Sequence, residues 1–261
     1  MAICEQFEQM CSTVDAKNDI SRPNTTHSKK KYIQRSKHSK KRGFSISKML
    51  KNFLEQVMNP EQKPDQRIIY TPFQELLNCV SMTFPTLLCI WYIQNPEVLI
   101  YRNSWLMMIG TFTHCPFSVI YHGLCSFGYD SEFWKRADLT FIHFCFSIYA
   151  YAFSSSLLYF AAIMLVNIRY VLNIWAKTGR HKAERSKNIF VSVILSLLPI
   201  GAMGDWQNFT GALLWFLLGG ISFQVNFIGG YGHSLFHTLF VGFQYYLFKA
   251  SQLAALNTIC L

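Results

Sequence analysis

Asp138-Leu-Thr-Phe-Ile-His-Phe-Cys-Phe-Ser-Ile-Tyr-Ala-Tyr-Ala-Phe-Ser154-Ser-Ser156-Leu-Leu-Tyr-Phe-Ala-Ala-Ile-Met-Leu-Val-Asn-Ile-Arg-Tyr-Val-Leu-Asn-Ile-Trp175 is one nearly continuous apolar stretch. A helix needs about 20 apolar residues to cross the hydrocarbon core of a bilayer. Residues 138–175 are too long for one crossing and suit two. Ser154-Ser155-Ser156 is the only turn candidate inside them, so the spans expected here are 138–154 and 157–175. Without a turn there, the chain would have one span fewer.

Outward from this stretch, similar apolar runs separated by short polar breaks lie at 76–94, 104–125, 188–204, 209–227 and 234–250. The fold class expected is all-α, a polytopic seven-transmembrane helical bundle preceded by an amphipathic helix. Composition agrees. Apolar residues make up 51% of the chain and charged residues 15%, against about 25% charged in a soluble domain. The eight cysteines form no Cys-x-x-Cys pair, and five lie in or beside apolar runs. They read as small buried hydrophobes, not as a disulfide framework.

Three regions follow. Residues 1–43 are polar and end in Lys29-Lys30-Lys31 through Lys40-Lys41-Arg42; they predict a disordered, basic, cytosolic tail with no cleavable signal. Residues 44–72 hold an amphipathic helix and a linker. Ile46, Met49, Leu50, Phe53, Leu54 and Val57 fall on one helical face, with Lys48, Lys51 and Glu55 off it, so the helix can lie in the membrane interface. Residues 73–261 make the bundle.

The net charge of +10 does not point to nucleic acid, because the basic residues flank apolar runs. The N-terminal region, Trp134-Lys135-Arg136 and the Lys177–Lys187 segment fall on one side of a seven-span arrangement. The positive-inside rule makes that side cytosolic and puts the C-terminus in the extracellular space or a lumen. The partners implied are membrane lipids and a lipid substrate or ligand.

Ionisable groups inside spans are costly, and each needs a reason. Ser118 and His122 share one face near the cytosolic end of the second span, being four residues apart. Asp138 opens the third span from that end. His233 and His237, also four apart, open the seventh. Five groups thus share one depth. Three imidazoles are the usual protein half of a catalytic zinc site, and zinc lowers the pKa of a water it binds to about 7. Asp138 is placed to accept a proton from that water, and Ser118 to hydrogen-bond it or a substrate. Separate interhelical hydrogen bonds are the competing reading. His114 and His143 are expected to pack or hydrogen-bond within the bundle, and His181 to be solvated in a basic loop.

These motifs resemble those of the hemolysin III and progestin/adipoQ receptor (PAQR) superfamily, which includes the adiponectin receptors and is distantly related to alkaline ceramidases. Glu75-Leu-Leu-Asn78-Cys-Val-Ser81 resembles the motif opening that family's first span. Ser118-Val-Ile-Tyr121-His122 resembles its second-span Ser-x-x-x-His. Trp134-Lys-Arg136-Ala-Asp138 resembles the opening of its third span, and His233-Ser-Leu-Phe-His237 its seventh-span His-x-x-x-His. Leu218-Gly219-Gly220 resembles its sixth span. Many members carry Thr-His where this chain has Ser81-Met82. The resemblance implies zinc on His122, His233 and His237, with Ser118 and Asp138 beside the water, and a cytosolic N-terminus. Two functions remain open: hydrolysis of a ceramide-like lipid amide or ester, or a receptor or membrane-organising protein with a structural zinc.

Overall fold

A computed structural model of the chain describes residues 70–95, 101–176, 182–225 and 230–259. The tail at 1–43 and the amphipathic helix read at 44–58 lie outside them. Among the described residues there are seven helices and no strand: α1 (Pro72–Gln94), α2 (Arg102–Ser126), α3 (Glu132–Ser154), α4 (Leu157–Ala176), α5 (Lys182–Ala202), α6 (Trp206–Val225) and α7 (Gly232–Ile259). By length and composition, α1, α4 and residues Glu184–Ala202 of α5 are apolar enough to cross a membrane. The other helices carry more polarity inward. In α2, Asn103, Ser104, Thr111, Ser118 and His122 are all buried.

Local chemistry sets two boundaries that matter later. α1 opens with a reciprocal cap. The Thr71 hydroxyl accepts from the Gln74 backbone N–H at 3.2 Å, and the Gln74 side chain accepts from the Thr71 N–H at 2.9 Å, with Pro72 at the first helical position. The break expected within 138–175 is present. Ser155 ends α3 in a left-handed conformation at φ 50°, and its N–H reaches the Tyr151 carbonyl at 2.9 Å. The Ser156 hydroxyl then accepts from the Tyr159 N–H at 3.3 Å and caps α4.

Contacts between helices close a ring: α1 on α2, α2 on α3, α3 on α5, α5 on α6, α6 on α7 and α7 back on α1, with α7 also reaching α2 and α3. α4 lies outside this ring, against α3 and α5. It buries Ile163 and Asn167. Its outer face carries Leu158, Leu165 and Leu172, which are 82%, 69% and 62% exposed. Exposed apolar area costs about 25 cal/mol per Å² in water and nothing comparable against lipid. The interior, by contrast, holds many polar side chains among its apolar ones. The apolar outer face and the three helices long and apolar enough to cross a membrane together suit a membrane protein.

The interior is layered. Glu75, Met82 and Cys89 recur every seven residues along α1. Ser104, Thr111 and Ser118 do so along α2, Asp138, Cys145 and Ala152 along α3, and His237, Gln244 and Ser251 along α7. All twelve are buried. A seven-residue repeat keeps one seam of a helix against its neighbours. The layers meet as the repeat requires: Ser104 and Ser251 hydroxyls lie 2.9 Å apart, and Gln244 donates to Thr111 at 2.7 Å. The close approach read from Gly219-Gly220 is also present at Gly219, where a Cβ would stand 2.8 Å from the Phe236 ring.

Candidate metal centre

One end of the bundle gathers the first turns of α1, α3 and α7 and the last turns of α2. There the ligand nitrogens of His122, His233 and His237 lie within 4.8 Å of one another, close enough to bind one metal ion. The His233 and His237 ring centroids are 4.6 Å apart, and His122 is 4.8 Å from the first and 5.6 Å from the second. His122 and His237 are buried. His233 is less so and sits between the Phe223 and Tyr70 rings, at 4.9 Å and 5.6 Å. Burial, and next the Glu75 carboxylate, push the Tyr70 phenol above its usual pKa range, so it remains a neutral hydroxyl.

What lies behind the rings decides what they can hold. His122 Nδ1 is 2.6 Å from Glu75 Oε2. A carboxylate accepts, so in the neutral ring Nδ1–H donates and Nε2 carries the lone pair. His237 Nδ1 is 3.1 Å from the Asn78 backbone carbonyl, which can only accept, so this ring has the same tautomer. The Ser81 hydroxyl lies 3.2 Å from the same nitrogen and itself donates to the Asn78 carbonyl at 3.1 Å. Asn78 closes the set. Its amide donates to Glu75 at 3.3 Å, and its side-chain oxygen accepts from Ser234 at 2.7 Å. Metal-ligating histidines are commonly oriented by such a carboxylate or carbonyl behind them. Neutral imidazoles with Nε2 free to coordinate suit zinc or a neighbouring transition metal, and do not suit calcium or magnesium. The residues present therefore fit the metal that the sequence implied.

Asp138 and Ser118 stand at the same end, as expected, but outside the ligand cluster. Ser118 is buried beside the Asp138 carboxylate. Asp138 Oδ1 also pairs with His114 Nε2 at 3.1 Å. His114 therefore has the hydrogen-bonding role expected of it. So has His143, whose Nδ1 meets Asn167 at 3.1 Å and Ser192 at 2.9 Å and joins α3 to α4 and α5, away from the metal centre. His181 lies outside the described residues.

Asp138 is not the only acidic residue at this depth: Glu75, outside the five groups expected there, is buried there as well. The span expected from 76 left Glu75 just outside. α1 begins at Pro72, just over a full turn earlier, and carries it in. Thr71-Pro72-Phe73-Gln74 is a capping-box sequence with proline at the first helical position, and that signal could have found it.

Comparison with family models, with curated proteins and with solved structures finds no match.

Proposed function

We propose that the chain is a seven-span membrane protein of hemolysin III/PAQR type. It holds zinc between His122, His233 and His237 and hydrolyses a lipid amide or ester, ceramide-like in kind. The observation that carries this reading is the pair of outer hydrogen bonds on Nδ1 of His122 and His237, which leaves each Nε2 as a metal donor. Zinc in that position supplies Lewis acidity toward a carbonyl and toward water. The chain's own residues do the rest. Asp138, held in place by His114, accepts and returns a proton, and Ser118 steadies the carboxylate. His122 lies four residues from the end of α2, about 6 Å along the axis at about 1.5 Å per residue. That is near the boundary between headgroups and acyl chains, where the amide or ester of a membrane lipid sits. The lipid-facing exterior supports a substrate that arrives through the membrane.

The basic residues Lys135 and Arg136 open α3 at this same end, which supports a cytosolic site and N-terminus with an external or lumenal C-terminus. Terminal tags probed with and without permeabilisation test this; two ends on one side would refute seven crossings.

A receptor or membrane organiser with a structural zinc is the second reading. It is favoured by the His114–Asp138 pair, because a carboxylate already partnered serves as well for helix docking as for proton transfer. Labelled ceramide and a panel of lipid amides and esters, given to purified protein, separate the two. Asp138→Asn is expected to fold and keep zinc while hydrolysis falls about 100- to 10,000-fold, the usual general-base contribution. Undiminished hydrolysis at full zinc occupancy removes Asp138 from the mechanism. A wild type that cleaves nothing in the panel makes the receptor reading the better one.

A further inference from the structure

α1 contributes no ligand to the histidine cluster, yet it touches two of the three ligands from behind. Glu75 holds His122 of α2, and the Asn78 carbonyl with the Ser81 hydroxyl holds His237 of α7. Glu75, Asn78 and Ser81 are three residues apart in turn and occupy successive turns of one face, all buried. Asn78 also ties this face to itself and to α7, through Glu75 and Ser234. A helix that merely packed beside the site would need none of this polarity. A buried carboxylate in particular is costly without a partner that needs it.

We infer that α1 is a non-ligating clasp for the metal and that Glu75 is its positioning residue. Glu75 fixes the His122 tautomer, orients the ring, and makes it a stronger donor by accepting its Nδ1 proton. The inference rests on the zinc reading above and adds a linkage to it. If Glu75 strengthens metal binding by some factor, the metal strengthens the seating of α1 by the same factor, because coupling between two equilibria is reciprocal. The first turns of α1 then belong to the metal site energetically although no atom of α1 coordinates.

The test begins with wild-type protein stripped by a chelator and titrated with Co²⁺, whose visible absorption reports tetrahedral nitrogen ligation, followed by competition with Zn²⁺. Glu75→Gln keeps the size and a hydrogen-bond acceptor but removes the charge. Affinity is expected to weaken about 10- to 100-fold, as for other outer partners of metal-binding histidines, with a shifted Co²⁺ spectrum. Glu75→Asp, charged but one methylene short, should fall between. Glu132→Gln, an exposed carboxylate at the start of α3, should match wild type.

Hydrogen exchange on the wild type alone guards against a variant that does not fold. Removing zinc should raise exchange across residues 72–81 and leave 157–176, in the peripheral α4, unchanged. Equal affinity in a folded Glu75→Gln, or exchange at 72–81 indifferent to zinc, overturns the clasp while the metal site stands. A wild type that binds neither ion fails at the first titration, and the zinc reading falls with it.

Discussion

Two buried polar layers lie in this bundle about two helical turns apart, and they behave differently. In the middle layer, Tyr149 donates to Gln244 at 3.1 Å, Gln244 donates to Thr111 at 2.7 Å, and the Thr111 and Tyr149 hydroxyls lie 2.8 Å apart. Donors meet acceptors within the group, and Thr111 also bonds the Met107 carbonyl of its own helix. In the end layer, the hydrogen bonds point outward from the centre. Glu75 and Asn78 take the Nδ1 protons, which leaves Nε2 of His122 and His237 as acceptors, and one ring nitrogen of each and of His233 lies within 4.8 Å of the others. Imidazole nitrogens gathered this closely can bind one metal ion together. Buried polarity in a membrane protein is therefore not enough to mark a functional site. The direction in which its hydrogen bonds close separates interhelical glue from a site for a ligand.

The largest effect that can break this contrast is loss of the metal. His233→Ala with His237→Ala removes both α7 imidazoles. Metal analysis of purified protein should find about one zinc per chain in wild type and none in the double variant, while the helical content survives because the middle layer is intact. Equal zinc in both proteins, or none in wild type, would erase the distinction between the layers.

Much of this was legible beforehand for definite reasons. The apolar runs gave the helices because lipid imposes a length on them, and the serine triplet gave the α3–α4 break because serine side chains can cap both ends. The three imidazoles were found because four-residue spacing fixes a face and basic loops fix an end. Glu75 stands in the motif that resembles the opening of the first span, but its place behind His122 was not legible. Hydropathy places a span boundary where apolarity starts, whereas α1 starts where its cap is, at Thr71. The position of α4 outside the ring was equally hidden, since a mostly apolar helix says that it meets lipid but not which neighbours it keeps. The three-way junction of His143, Asn167 and Ser192 needed partners from three helices, and no single segment carries that information.

The smallest expected effect is also the sharpest test of the contrast. Tyr149→Phe removes one hydroxyl from the middle layer and keeps the ring, which lies against Gly110 and 5.8 Å from Phe146. Gln244 loses its donor from Tyr149, but its amide still donates to Thr111, and Thr111 still donates to the Met107 carbonyl at 3.2 Å. One acceptor is therefore left short. Hydrogen bonds between membrane helices contribute about 0.6 kcal/mol on average and about 1.7 at most, because the unfolded chain in lipid also finds partners. Unfolding in detergent should show a loss within that range. Zinc stoichiometry should remain at the wild-type value, because no atom of this layer is hydrogen-bonded to a ligand imidazole or to the Glu75 and Asn78 that hold them. A Tyr149→Phe protein that keeps its stability but loses zinc would show that the middle layer shapes the metal centre, and the two layers would then have to be treated as one site.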